Sequence, residues 1–315
     1  MLRSLADRVA NRISRNILAS QNRLADKILL AQGYQCCSHL RSLLTLKALE
    51  DAEFRIYSQW GEDGIIEWLI QRVPMPNSFI EFGVENYSEA NTRFLLEHRN
   101  WKGLVIDGSD TNIAAIRDNA ISWRHELIAE AAFITTENIN QLFLDAGFSG
   151  DIGILSVDLD GNDYWIWNAI SSVRPSLVIC EYNAVLGDLC PVTIPYSAHF
   201  RRSEAHYSYL YYGASIAALN RLATEKGYVL LGSNRAGSNA FFIRDDLVPT
   251  VGNSIVDKYP RSSRIRESRN EEGCLSKVSG ITRTEIIGHL PVFDLRDGKT
   301  RAINSVGTLF SDRWA

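Results

Sequence analysis

Through the middle of the chain, short unbroken apolar runs alternate with segments whose apolar residues recur at helical spacing, the rhythm of βα units around a mostly parallel sheet. The runs predict strands at 78–83, 103–107, near 126–130, 153–158 and 177–182. Helices are predicted at Ile65–Val73, Glu89–Arg99, Asn112–Asn119, 137–146, Tyr164–Ile170 and Ala214–Lys226. The runs Tyr228–Leu231 and Ala240–Arg244, joined by a glycine-containing turn, predict an antiparallel hairpin. The fold class is therefore α/β and Rossmann-like, a mostly parallel seven-stranded sheet with a terminal hairpin.

The rhythm fails at both ends. Leu2, Leu5, Val9, Ile13 and Ile17 keep helical spacing among Arg3, Arg8, Arg12 and Arg15. That pattern fits a basic amphipathic helix on an anionic membrane surface. It equally fits an arm packed on its own domain or on a second copy. The expected organisation is a helical arm (1–53), a core (54–245) and a C-terminal extension (246–315). The long segment 184–212 mixes tyrosines with His199, Arg201, Arg202 and His206. It reads either as a lid or substrate wall or as an ordered surface insertion.

Four predicted strands end in acids: Glu81, Asp107, Asp158 and Glu181. An open α/β sheet builds its ligand site at the carboxyl ends of its strands, so this rim points to a cofactor-dependent enzyme. Gly83 allows close approach to the backbone, and Asp107 can accept from the vicinal hydroxyls of a ribose. The alternative for Asp107 is a cap on the next turn with Ser109. The chain lacks the G-x-G-x-x-G run that a dinucleotide pyrophosphate needs. Acids with one glycine better suit S-adenosylmethionine, which has a sulfonium, a zwitterionic end and no phosphate. The run Asp158-Leu159-Asp160-Gly161-Asn162-Asp163 has three readings. It can face a reacting methyl group or a divalent metal, form a D-x-D metal site for a nucleotide sugar, or cap the helix at Tyr164. Asp158, Glu181 and Asn183 can together offer oxygen ligands to Mg²⁺. His199 or His206 can serve as a general base.

Bulk properties narrow the field slightly. Of 315 residues, 45% are hydrophobic and 22% charged, as in ordinary globular proteins, and the net charge of −4 argues against a nucleic-acid binder. The five cysteines show no disulfide framework and no C-x-x-C zinc spacing. The thiols read as reduced, which suggests a cytoplasmic chain, peripheral to the inner membrane if the N-terminal helix binds lipid. No apolar stretch approaches the roughly 20 residues of a membrane span.

Taken together, Ile80–Val84, Val105–Ser109, Asp158–Asp163, Ile179–Glu181 and the leader Tyr57-Ser58-Gln59-Trp60-Gly61-Glu62-Asp63-Gly64 resemble the FkbM-type branch of class I S-adenosylmethionine-dependent methyltransferases. So do Gly213–Leu219, Lys226–Gly232 and Asn239–Phe242. The resemblance covers about 54–245 and implies a seven-stranded sheet with a terminal hairpin. It implies that Glu81, Gly83 and Asp107, with Gly108 and Ser109 behind it, bind the cofactor, and that Asp158 lies near the transferred methyl, with Asp160 and His199 as further catalytic candidates. Where this family often carries another glycine, the chain has Glu85-Asn86-Tyr87, so the methionine end would be held differently, by Glu85, Asn91 or Thr92. The implied reaction is O-methylation of a small-molecule or glycan hydroxyl, such as a sugar of a bacterial glycan or glycosylated metabolite. The rivals are a metal-dependent glycosyltransferase and a binding module with a degenerate pocket.

Overall fold

A computed structural model describes residues 24, 25 and 27–314. The expected helix at the extreme N-terminus lies outside the described residues. The main sheet has seven strands, numbered here in chain order: β1 Ser78–Phe82, β2 Lys102–Asp107, β3 Leu127–Ala131, β4 Gly150–Val157, β5 Val173–Glu181, β6 Tyr228–Ser233 and β7 Asn239–Arg244. Their order across the sheet is β3-β2-β1-β4-β5-β7-β6. The first five run parallel, and β7 is antiparallel to both β5 and β6, so the hairpin stands as expected.

Both faces of this sheet are covered, which is why its strands read as continuous apolar runs. Side chains alternate with period two. Ile80, Phe82, Leu104 and Ile106 pack on one face with Ile139, Phe143 and Trp167. Phe79, Val105 and Ile154 pack on the other with Ile65, Trp68 and Ile113. The chain enters at β1, builds outward to β3, then crosses to β4. The crevice between the ends of β1 and β4 is thus a switch point, where sheets of this type bind ligands.

One expectation changes, and two take definite form. The helix predicted from Glu89 starts only at Arg93 and widens into a π-turn at Leu95–Arg99. The preceding backbone is instead drawn toward β1, because the N–H groups of Asn91 and Thr92 donate to the Glu81 carboxylate. The segment 184–212 is an ordered insertion, and part of it also walls the larger cavity described below. It holds the strand Val192–Thr193 and the short helix Arg202–Ala205. Finally, the ends are stitched into the molecule. Leu46–Ala48 pairs with Ile255–Asp257, and Pro291–Asp294 pairs with both Lys299–Ala302 and Val192–Thr193. The C-terminal segment therefore braces the insertion after β5.

The leader segment is organised by one carboxylate. Asp63 Oδ2 accepts from the backbone N–H groups of Ile56, Tyr57 and Ser58 at 2.7, 2.7 and 2.9 Å. Gly64 is required here, since a Cβ would fall 2.0 Å from the Ala52 carbonyl oxygen. Among the described residues, no helix is long and apolar enough to cross a membrane.

Candidate functional site

Two adjoining cavities open over the carboxyl rim. The larger, about 640 Å³, lies over the ends of β1, β4 and β5 and takes in Glu81, Asp158 and Glu181. The smaller, about 230 Å³, lies beyond β2 and takes in Asp107, Gly108, Phe133, Ile134 and Asn162. Gly83, Glu85, Asp158, Leu159, Asp160 and Phe200 border both. Gly83 sits at the junction with φ +66°, and a Cβ there would lie 2.1 Å from the Asp158 carbonyl oxygen. Only glycine satisfies both demands.

Glu81 is almost fully buried at the end of β1. Beyond the Asn91 and Thr92 N–H groups, it accepts from the Thr92 hydroxyl. Burial pushes its pKa up to about 7, against the pull of those donors. Thr92 is therefore a clamp on Glu81 rather than a ligand residue. It lines neither cavity, and its hydroxyl also meets Tyr87. Asn91 reaches the larger cavity, and its amide donates to Ser156 Oγ.

Asp107 joins two loops. Its Oδ2 accepts from Glu85 N at 2.9 Å, and its Oδ1 accepts from Ser109 N at 2.8 Å and Asn112 Nδ2 at 3.1 Å. A carboxylate offers about four acceptor positions, so about one remains for a hydroxyl in the smaller cavity. The capping role is real and leaves room for a ligand role. Ser109 itself caps the helix Asp110–Asp118 and lines neither cavity, so it drops out of the ligand-facing set. Glu85, at φ 47°, borders both cavities.

The Asp158–Asp163 run separates into distinct roles. Asp163 opens the helix Asp163–Ala169 and accepts from Leu159 N and Gly161 N, fixing the loop after β4. Asp160 adopts a left-handed conformation, borders both cavities and pairs with Arg202 at 2.6 Å. Arg202 also lies 3.9 Å over the Tyr212 ring. The carboxylates that converge are Asp158, Asp163 and Glu181, within 4.8 Å of one another. Asp160 is not among them, so a D-x-D pair does not close on one ion. Burial, and next the charges of Asp160 and Asp163, hold the Asp158 carboxyl well above its usual range. Burial, and next the charge of Asp158, does the same to Glu181. Glu181 Oε2 is buried with no hydrogen-bond partner among the described residues.

Asn183 borders the larger cavity, and its side chain is mainly engaged in holding the insertion. Its amide nitrogen donates to the carbonyls of Leu210 and Tyr212, and its oxygen accepts from Val185 N, which anchors both ends of the insertion. The histidines stand apart. His199 is exposed and borders neither cavity, although its neighbour Phe200 borders both. His206 stacks on Tyr207 and bonds to Ser208. Neither is placed to act as a general base. Trp167 packs in the core against Phe242.

The sequence reading missed several walls of the larger cavity. Gln59 and Trp60 come from the leader, and Ile265, Glu267 and Arg283 from the C-terminal segment. The leader's polar, glycine-bearing composition was a usable signal for the first two. Nothing local marks the others.

No protein-family model matches the chain, and no curated protein matches it. Solved structures that resemble it include a CurJ carbon methyltransferase, with 11% identity, 58% of this chain and 52% of that chain covered, and a TM-score of 0.38. An S-adenosylmethionine-dependent methyltransferase from Clostridium acetobutylicum shows 10% identity, coverage of 58% and 90%, and a TM-score of 0.37. An O-methyltransferase from Bacillus cereus in complex with SAH shows 12% identity, coverage of 68% and 89%, and a TM-score of 0.35. The chain thus spans about half the length of the first. These likenesses are distant, and the functional reading rests on the residues of the site.

Proposed function

We propose that this chain is a class I S-adenosylmethionine-dependent O-methyltransferase of the FkbM type, acting on a hydroxyl of a sugar-containing acceptor. The observation that carries the proposal is the pair of acid-rimmed cavities meeting at Gly83, at the switch point of a seven-stranded sheet. The residues fit the cofactor. Asp107 has an acceptor position left for a ribose hydroxyl, and Phe133 and Ile134 give the smaller cavity an apolar wall for a base. Gly83 sits where the two compartments meet, and Glu85 and Asn91 border the larger one, where they can meet the methionine end.

The cofactor supplies an electrophilic methyl group on a sulfonium, and the chain must then position the acceptor and receive a proton. Polar and aromatic groups, among them Gln59, Trp60, Asn239 and Tyr212, suit a polyhydroxylated acceptor in the larger cavity. Asp158 and Glu181 are close enough that their charges repel, and burial together with this repulsion holds both carboxyls of the pair above their usual range. Its ionised member accepts the acceptor's hydroxyl proton as the oxygen gains its methyl group. The Arg202–Asp160 pair lines the larger cavity, and alignment of the reactants lowers the barrier by several kcal/mol.

The test is methyl transfer from labelled S-adenosylmethionine to a panel of glycans and glycosylated small molecules, with SAH release as readout. Transfer to a sugar hydroxyl supports the reading. Binding of a UDP-sugar without SAH binding replaces it with a glycosyltransferase. A second reading, favoured by the closeness of Asp158 and Glu181, adds Mg²⁺ held by these carboxylates and water. Activity unchanged by EDTA removes the ion from the account.

A further inference from the structure

A second cluster of reactive side chains lies where the helix at residues 27–42 docks on the helix Glu62–Ile70. Cys37, Glu67 and His98 bring a sulfur, a carboxylate oxygen and a ring nitrogen within 4.8 Å of one another. None of the three borders either cavity of the candidate active site. Cys37 is 2% exposed and Glu67 is fully buried. The docking is close. Gly33, one turn before Cys37, faces the Phe94 ring so tightly that a Cβ would lie 2.7 Å from it.

The independent observation is a group of polar atoms with nothing to bind. His98 Nδ1, His98 Nε2 and Gln71 Oε1 are all buried without a hydrogen-bond partner among the described residues. Gln71 belongs to the same spot, since its amide donates to Glu67 Oε1 and to the Cys37 carbonyl. Orphaned buried polar atoms are uncommon, and several at one place point to a missing ion or water. The His98 ring is held in position, with its centroid 4.6 Å from that of Tyr34 and 4.9 Å from that of Phe94.

We propose that Cys37, Glu67 and His98 form a zinc site that pins residues 27–42 to the core. Thiolate, imidazole and carboxylate are the donors zinc takes. Zinc–ligand bonds of about 2.0–2.3 Å set tetrahedral donor atoms roughly 3.3–3.7 Å apart, so closure needs side-chain shifts of about 1 Å. Water, or the unpartnered Gln71 oxygen, would complete the fourth position. Arg99 is the competing cation and pairs with Glu67 through both of its oxygens. With Gln71, that pairing takes three of the carboxylate's four acceptor positions and leaves one for the metal. Zinc would replace the thiol proton of Cys37 and bind the folded chain only, stabilising it by mass action.

The experiment is metal analysis of the full chain after saturation with Zn²⁺ and dialysis against metal-free buffer. The expected result is about one zinc per chain, falling at least tenfold in both Cys37→Ser and His98→Gln but retained in Asp158→Asn. The last variant separates this site from the carboxylates of the active cavity. Cobalt substitution of the wild-type chain gives a second readout that needs no variant, namely a thiolate-to-metal charge-transfer band. Absence of zinc from the wild-type chain overturns the site, as does full retention in both ligand variants or a cobalt spectrum without that band.

Discussion

The substitution Gly83→Ala isolates the junction between the two cavities. Two costs follow from the structure. At φ +66° an L-residue is disfavoured by roughly 1–2 kcal/mol. The new Cβ would also lie 2.1 Å from the Asp158 carbonyl oxygen, where ordinary contact begins near 3.4 Å. The loops after β1 and β4 must therefore part by more than about 1 Å, and overpacking of that kind costs about 1–3 kcal/mol. The sum, about 2–5 kcal/mol, lies below the stability of most domains. The variant should thus fold, with a lower urea midpoint and an unchanged slope. Because the separating loops carry Glu85 and Asp158, SAH affinity by titration calorimetry should fall by about a hundredfold, or about 2.7 kcal/mol. Wild-type affinity in a variant within about 0.5 kcal/mol of wild-type stability would refute the reasoning, by showing that the loops after β1 and β4 need not part.

Other consequences can be measured separately. Asp158→Asn keeps the shape of the cavity but removes one carboxyl of the proton-accepting pair. Its methyl-transfer rate should fall on the order of 10²–10⁴-fold while SAH affinity stays within a few-fold, and an unchanged rate would take Asp158 out of the chemistry. Asp63→Ala deprives three leader N–H groups of their acceptor. A loss of about 2–4 kcal/mol in urea unfolding is expected, and an unaffected midpoint would mean that water takes the carboxylate's place. The pH profile follows from Glu81, raised to about 7, and from Asp63 and Asp163, each raised to about 6. These acids bind protons more tightly in the folded chain, so their stabilising contribution is complete below their ordinary range and is lost as pH rises to about 7. Glu81 alone contributes about 3 kcal/mol. The melting temperature should therefore decline between pH about 5 and 7.5, less steeply in Glu81→Gln, and a rising profile would contradict the assignment.

The sheet was legible because each strand is a contiguous run buried on both faces, and the rim because each strand ends in its own acid. Glu81, Asp107, Asp158 and Glu181 need only local sequence to be found. What each acid touches is not local. Asn183 stands two residues beyond Glu181, yet its amide is committed to Leu210 and Tyr212 far along the chain. Arg202 reaches back 42 residues to Asp160. The missed cavity walls at Ile265 and Arg283 come from a segment without βα rhythm, positioned by strand pairings that no spacing encodes. His199 was attractive as the usual proton acceptor, but the insertion turns it to solvent and brings Phe200 inward. Cys37 and His98 were passed over for the same reason, since their meeting depends on how one helix docks.

The most direct test of the central claim is equilibrium binding of SAH to the wild-type chain and to Asp107→Ala, side by side. Saturable binding to the wild type that weakens at least tenfold in the variant is the predicted result. A chain that binds no SAH, or binds it equally well without Asp107, would contradict the account of the rim as a cofactor site.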